Sequence, residues 1–208
     1  MSSLRLPPSL RIFLGVLVAV ALFSLYRSST FRFPGPAFIA ESFRMASRDV
    51  SSPIPGLEVS LHQPKTSPPT ITVTVTNKNS HAVTVLSYDS PLDSLALQLG
   101  LLSITPAGAS TPIELPTIQV RRFWPPRRDD LISIAPGASE KQDIVLDKPR
   151  IPTVKIGSKG FVKLTGKWGY VWAKSKDGIS AAELENIGSS KDTYSGAFAS
   201  NNLEVTVA

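Results

Sequence analysis

Between Thr70 and Asp93 the chain alternates apolar and polar positions. Ile71, Val73 and Val75 interleave strictly with Thr72, Thr74 and Thr76. A period of two puts three β-branched side chains on one face of a strand and three hydroxyls on the other. Asn77-Lys78-Asn79-Ser80 follows with turn chemistry, because asparagine tolerates left-handed backbone and its side chain bonds its own turn. Val83 and Val85 resume the alternation to Tyr88, and Asp89-Ser90-Pro91 breaks it. The segment predicts a β-hairpin with one dry and one wet face.

The same pattern recurs from residue 57 onward. Leu57 to His62 alternates and is closed by Pro64, Pro68 and Pro69. Leu95 to Ile104 is a longer apolar run ending at the turn Pro106-Ala107-Gly108-Ala109, across which Thr111 to Leu115 is expected to pair back. Val120 to Trp124, Leu131 to Ala135 and Lys141 to Leu146 are further candidate strands, each followed by prolines. Gly160 to Ala173 is the longest late strand, with Val162, Leu164, Trp168, Tyr170 and Trp172 expected on one face. Ile179 to Ile187 is the one helix-like segment, with Ser180 as its cap. Leu203, Val205 and Val207 close the chain as a strand. About nine short strands with turn signals every 8–12 residues or so predict an all-β, antiparallel, immunoglobulin-like sandwich over residues 57–208.

Ahead of it, Ile12 to Tyr26 is uncharged and mostly apolar, flanked by Arg11 and Arg27. Fifteen helical residues reach about 22 Å, short of the roughly 30 Å hydrocarbon core, which suits a signal-peptide core. An uncleaved signal anchor competes with that reading, since the apolar run continues past Ala19-Val20-Ala21. A third reading starts translation at Met45 and makes the protein cytoplasmic. Residues 1–30 are thus a signal peptide, a signal anchor or a mispredicted extension, and 31–56 an irregular proline-bearing linker. A membrane enters the picture only through Ile12 to Tyr26.

Charge and composition narrow the chemistry. The net charge is +6, but residues 1–48 hold six arginines against Glu41, so the remainder is nearly neutral. That disfavours a nucleic-acid module. There are no cysteines and only two histidines, His62 and His81; a zinc site needs three or four converging ligands. Both histidines read as solvated surface residues. No Gly-x-Ser-x-Gly elbow and no phosphate-binding glycine loop occurs. The expectation is a protein without catalytic residues, metal or cofactor.

Two stretches are candidate binding features. Arg121, Arg122, Phe123, Trp124, Arg127 and Arg128 interleave arginines with aromatics around Pro125-Pro126. Arginine and tryptophan are favoured interface anchors, so this is a candidate protein-binding loop. The plainer reading is a solvated loop whose arginines pair internally with Asp129 and Asp130. Trp168, Tyr170 and Trp172 are a candidate aromatic platform for carbohydrate or a lipid surface, against the plainer reading of sandwich core.

The order of landmarks resembles the N-terminal prodomain of deuterolysin-type fungal zinc metallopeptidases. The residues are Val75-Thr76-Asn77, Ser90-Pro91-Leu92-Asp93, Arg121-Arg122, Ile132 to Gly137, the Gly160-led strand and Ser200-Asn201-Asn202-Leu203. The likeness spans about residues 57–207. The family's catalytic helix with His-Glu-x-x-His has no counterpart in this sequence, so the resemblance transfers no catalytic residue. It implies a prodomain fold that assists the folding of a peptidase or keeps it latent, here acting in trans.

Overall fold

The computed structural model describes residues 52–146, 151 and 153–208. The apolar run Ile12 to Tyr26 and the linker as far as residue 51 lie outside the described residues, as does most of the Pro149 to Pro152 break. Nine strands follow in order: β1 Leu57–Thr66, β2 Pro69–Asn77, β3 Val83–Leu86, β4 Leu102–Pro106, β5 Leu131–Ile134, β6 Ser139–Val145, β7 Lys159–Trp172, β8 Thr193–Ala199 and β9 Leu203–Thr206. Two short helices intervene, α1 Thr153–Ile156 and α2 Ala181–Glu185.

All pairings are antiparallel. One sheet has the order β1-β2-β6. The other is built on β7: its first half lies between β4 and β9, its second between β8 and β3, and β5 pairs with β3. The alternation in β2 has the expected consequence, since Ile71, Val73 and Val75 are fully buried while Thr72, Thr74 and Thr76 are half-buried. They pack with Val83, Val85, Ile104, Val162, Leu164, Trp168, Val171 and Val205 in one continuous core. Each such aliphatic contributes about 1.5–3 kcal/mol on burial.

The expected hairpin between β2 and β3 does not form. β2 pairs with β1 and β6, whereas β3 pairs with β5 and β7, so the chain crosses from one sheet to the other at residues 78–82. The cause is Asn77, which is fully buried and spends its side-chain amide on the crossing. Its Nδ2 donates to the carbonyls of His81 (2.8 Å) and Ile134 (2.9 Å), and its Oδ1 accepts from the Asn79 N–H (3.0 Å). The hairpin lies one strand earlier, where β1 runs past Pro64 to Thr66 and turns tightly into β2.

Two side-chain amides join the sheets along β1 and β9. Asn201 Oδ1 accepts from the Leu61 N–H (2.7 Å) while its Nδ2 donates to the Leu61 carbonyl (3.3 Å). Gln63 does the same to Thr206: Nε2 to its carbonyl (2.7 Å), Oε1 from its N–H (2.9 Å). Each amide stands in for a strand neighbour, so the backbone groups at that seam are satisfied.

β7 holds a second departure. Its pairing with β8 shifts by one residue between Trp168 and Val171, a β-bulge at Gly169-Tyr170. Before the bulge Val162, Leu164 and Trp168 face the core; after it Val171 does, and Tyr170 and Trp172 are turned outward. That outer face is not wet. Leu86, Tyr88, Leu131, Ile179, Leu184 and Ile187 cover Trp172 as a second cluster, which is why all four residues of β3 are buried. Thr84 is accommodated there by donating to the Lys174 carbonyl (2.7 Å).

The helix expected at Ile179 to Ile187 is α2, shorter at both ends and capped by Ser180 as expected. The Glu183 N–H bonds Ser180 Oγ (3.2 Å) and the Glu183 carboxylate accepts the Ser180 N–H (2.9 Å), a reciprocal capping box. Residues 111–127 carry no regular structure, so the strands expected at Thr111 to Leu115 and Val120 to Trp124 are absent. Single bonds hold the segment instead, from the Ile113 N–H to the Ile104 carbonyl (2.8 Å) and from the Ile118 N–H to that of Gln98 (3.0 Å).

Candidate recognition loop

The irregular segment ends in the arginine-aromatic stretch, and the fold fixes that stretch from beneath. Asp93 is nearly fully buried at the corner after β3, where Asp89 takes positive φ (55°). Its carboxylate accepts the Asp89 N–H (2.7 Å) and the Leu95 N–H (2.9 Å), and Arg122 Nη2 completes its set of partners. The Arg122 guanidinium also stands 4.8 Å above the Tyr88 ring, a cation–π arrangement. Tyr88 in turn donates from its hydroxyl to Asp130 Oδ2 (2.7 Å), which accepts the Arg127 N–H as well (2.9 Å). Burial and the Asp130 carboxylate push the Tyr88 hydroxyl up to about 12, so it remains a donor at any physiological pH.

At the far end Arg128 donates to the carbonyls of Lys176 (3.0 Å) and Ile179 (2.8 Å). With Arg122 and Arg128 serving as pins, Phe123, Trp124, Pro125 and Arg127 between them are exposed, while Pro126 is buried. Phe123 is 65% exposed and Trp124 54% exposed. The Arg127 guanidinium lies 4.0 Å over the Phe123 ring, and Trp124 leans on Tyr170 with ring centroids 5.7 Å apart. Arg121 is exposed. The expected pairing of these arginines with Asp129 and Asp130 is therefore corrected: the carboxylate that holds Arg122 is Asp93, 29 residues earlier. Upstream in the same segment, Leu95, Leu97, Leu115, Pro116 and Ile118 line an apolar hollow of about 390 Å³.

The aromatic platform is corrected too. Trp168 is 1% exposed and packs on Phe198 in the main core, whereas Trp172 is 0% exposed in the outer cluster. The bulge sends the two indoles to opposite faces of β7, and neither offers a ring face to a ligand; Tyr170 alone is half-buried. Of the histidines, His62 is exposed and His81 is half-buried in the crossing, with Nε2 buried and unpaired. Among the described residues no three of His, Asp and Glu cluster as metal ligands, and no helix is long and apolar enough to cross a membrane.

Two packed sheets on one core, with a pinned loop at one end, describe an immunoglobulin-like domain. Residues 56–207 match that family, and the chain belongs to it. It is similar to an "Uncharacterized secreted protein" of Arthroderma benhamiae, 34% identical over 136 residues that cover 64% of this chain and 67% of the relative.

Proposed function

We infer that this protein is a non-catalytic interaction domain of the secretory route that recognises a protein partner through the loop from Val120 to Arg128. The observation that carries the reading is the pair Phe123 and Trp124, exposed on a backbone held by Asp93, Asp130 and two carbonyls. Aromatic and arginine side chains dominate interface energetics, and a loop already fixed loses less entropy on binding. Sheet-edge pairing is the weaker competitor. Among the described residues β6 pairs only with β2, and it carries the exposed charges Glu140, Lys141 and Asp143, a pattern that discourages strand addition. The secretory placement is supported by the name of the Arthroderma relative.

The finer reading is a chaperone or inhibitor of a deuterolysin-type metallopeptidase acting in trans. It is supported by the ordered landmarks from Val75 to Leu203, among them Asp93, Arg122, Asn77 and Asn201, which pin the loop, the crossing and the seam. The test is to titrate the protein into such a peptidase and follow peptide hydrolysis and refolding yield, with Phe123→Ser/Trp124→Ser alongside. A dose-dependent change lost in the double variant is expected. No change in either readout removes the peptidase reading. A change that the variant leaves intact removes the loop from it.

A further inference from the structure

β8 stands at the edge of the sheet built on β7. Among the described residues it pairs with β7 alone, and the ladder fixes which of its backbone groups are spent. The Ser200 N–H reaches the Leu164 carbonyl (2.9 Å). Alternation therefore turns Phe198 and Gly196 toward β7 and leaves the N–H and C=O of Ser195, Ala197 and Ala199 facing away. No described residue takes up those groups. All three residues are exposed, and their side chains are small and uncharged. Other edges are guarded. Gln63 and Asn201 close β1 against β9, the Ile113 N–H takes the outer side of β4 at the Ile104 carbonyl (2.8 Å), and β6 carries Glu140, Lys141 and Asp143. From Thr193 to Ala199, β8 has neither a charge nor a proline, the devices that keep a free edge from pairing.

We propose that two copies of this chain join through β8, antiparallel about a twofold axis at Ala197, into one continuous sheet. Ala197 then meets its counterpart, and Ser195 of each copy lies opposite Ala199 of the other, giving about six main-chain hydrogen bonds. Such a contact is self-complementary and closes at two copies. A second copy fits this edge because the outward positions on either side of Ala197 are alike in size and none carries a charge that needs a counter-charge. On the core face Gly196 falls opposite Phe198 of the other copy, so a ring covers the position that lacks a side chain. The cation nearest the axis on the outer face is Lys167, the β7 partner of Ala197. Three strand spacings of about 4.8 Å hold the two Lys167 positions about 14 Å apart, beyond the Debye length of about 8–10 Å. The contact is independent of the loop from Val120 to Arg128, and the failure of either leaves the other standing.

Sedimentation of the full chain from about 5 µM to about 1 mM measures the association, with an expected Kd of about 10–100 µM because an edge contact is small. Ala197→Lys and Ala197→Glu each set like charges against one another at the axis, and each should raise Kd at least about tenfold. An equimolar mixture of the two should associate again, because opposite charges then meet. Ala197→Pro removes the outward N–H without touching the β7 ladder and should weaken association as well. Amide exchange is read alongside in the parent: the Ala197 and Ala199 amides should gain protection as concentration rises, while that of Phe198, already held by β7, should not. A chain that stays monomeric to about 1 mM overturns the proposal. So does association that all three variants leave intact, which would place the contact elsewhere in the chain, and so does a mixture of the two charged variants that fails to associate. Exchange at Ala197 and Ala199 that ignores concentration overturns it even where a variant does not fold.

Discussion

Asn77 is the residue whose loss the fold should tolerate least among the polar ones. Its amide serves the His81 and Ile134 carbonyls and the Asn79 N–H, while its backbone N–H and carbonyl bond Ala138 and Gly137. Asn77→Leu keeps the approximate volume and removes every side-chain bond. The Ile134 carbonyl is then buried without this partner, and the His81 carbonyl and the Asn79 N–H are left part-buried. At about 1–3 kcal/mol per stranded buried group, discounted for the two that reach water, the cost is about 4 kcal/mol. A domain of this size has roughly 5–15 kcal/mol in total, and about 4 kcal/mol lowers its Tm by about 8–16 °C. Asn77→Asp should be worse at neutral pH, because a carboxylate oxygen then faces the carbonyls that Nδ2 now serves. It should recover on acidification, when the carboxyl regains a proton to donate. Urea unfolding followed by tryptophan fluorescence measures both variants. A loss below about 1 kcal/mol for Asn77→Leu would refute the assignment of the crossing to this side chain, since even one stranded buried group costs that much.

Phe123→Ser/Trp124→Ser should change stability by no more than about 0.5 kcal/mol, as surface substitutions do; a larger drop in the urea midpoint would mean that the rings are part of the fold rather than offered to a partner. The Glu183 carboxyl is held down at about 2 from its ordinary 4.5, first by Lys174 Nζ (2.5 Å) and then by the Ser180 N–H. A lowered folded pKa gives stability that is present above the unfolded value and lost as pH falls through the folded one, so the loss should run from about pH 4.5 to about 2. Glu183→Gln should flatten that acid limb, and an unchanged limb in the variant would sink the account. Asn201→Ala and Gln63→Ala each remove two bonds across the β1–β9 seam and should cost about 1–2 kcal/mol apiece. Hydrogen exchange is the sharper check, because the Leu61 amide should lose protection in the first and the Thr206 amide in the second; unaltered protection would mean that the seam closes without them.

The alternation in β2 was legible because one of its faces is buried and the other only half-buried, and α2 was legible because its cap is local. Pattern fails where burial is two-sided, as in β3, whose outer face is dry only because a segment some 90 residues later covers it. It fails in β8 as well, where Gly196 occupies a core-facing position between Tyr194 and Phe198 and blanks the period. The loop was half legible. Its arginines and aromatics announce themselves, but the choice of Asp93 over the adjacent Asp129 and Asp130 is made by the corner after β3, and no local spacing encodes it. The bulge in β7 is the most instructive case. Trp168 pairs with Gly196, Val171 with Tyr194 and Trp172 with Thr193, so Gly169 and Tyr170 together oppose the single residue Ser195. Strike Gly169 from the strand and the ladder becomes regular with every remaining side chain on the face it now occupies. The sequence Trp-Gly-Tyr-Val-Trp therefore reads as one aromatic stripe when counted by twos, and as two separate faces once a single glycine is counted as extra. A residue without a side chain leaves no apolar or polar mark by which that count could be corrected. The extra residue is also what parts Trp168 from Trp172, sending one indole to the main core and the other to the outer cluster, so the step that the pattern cannot register is the one that dissolves the apparent platform.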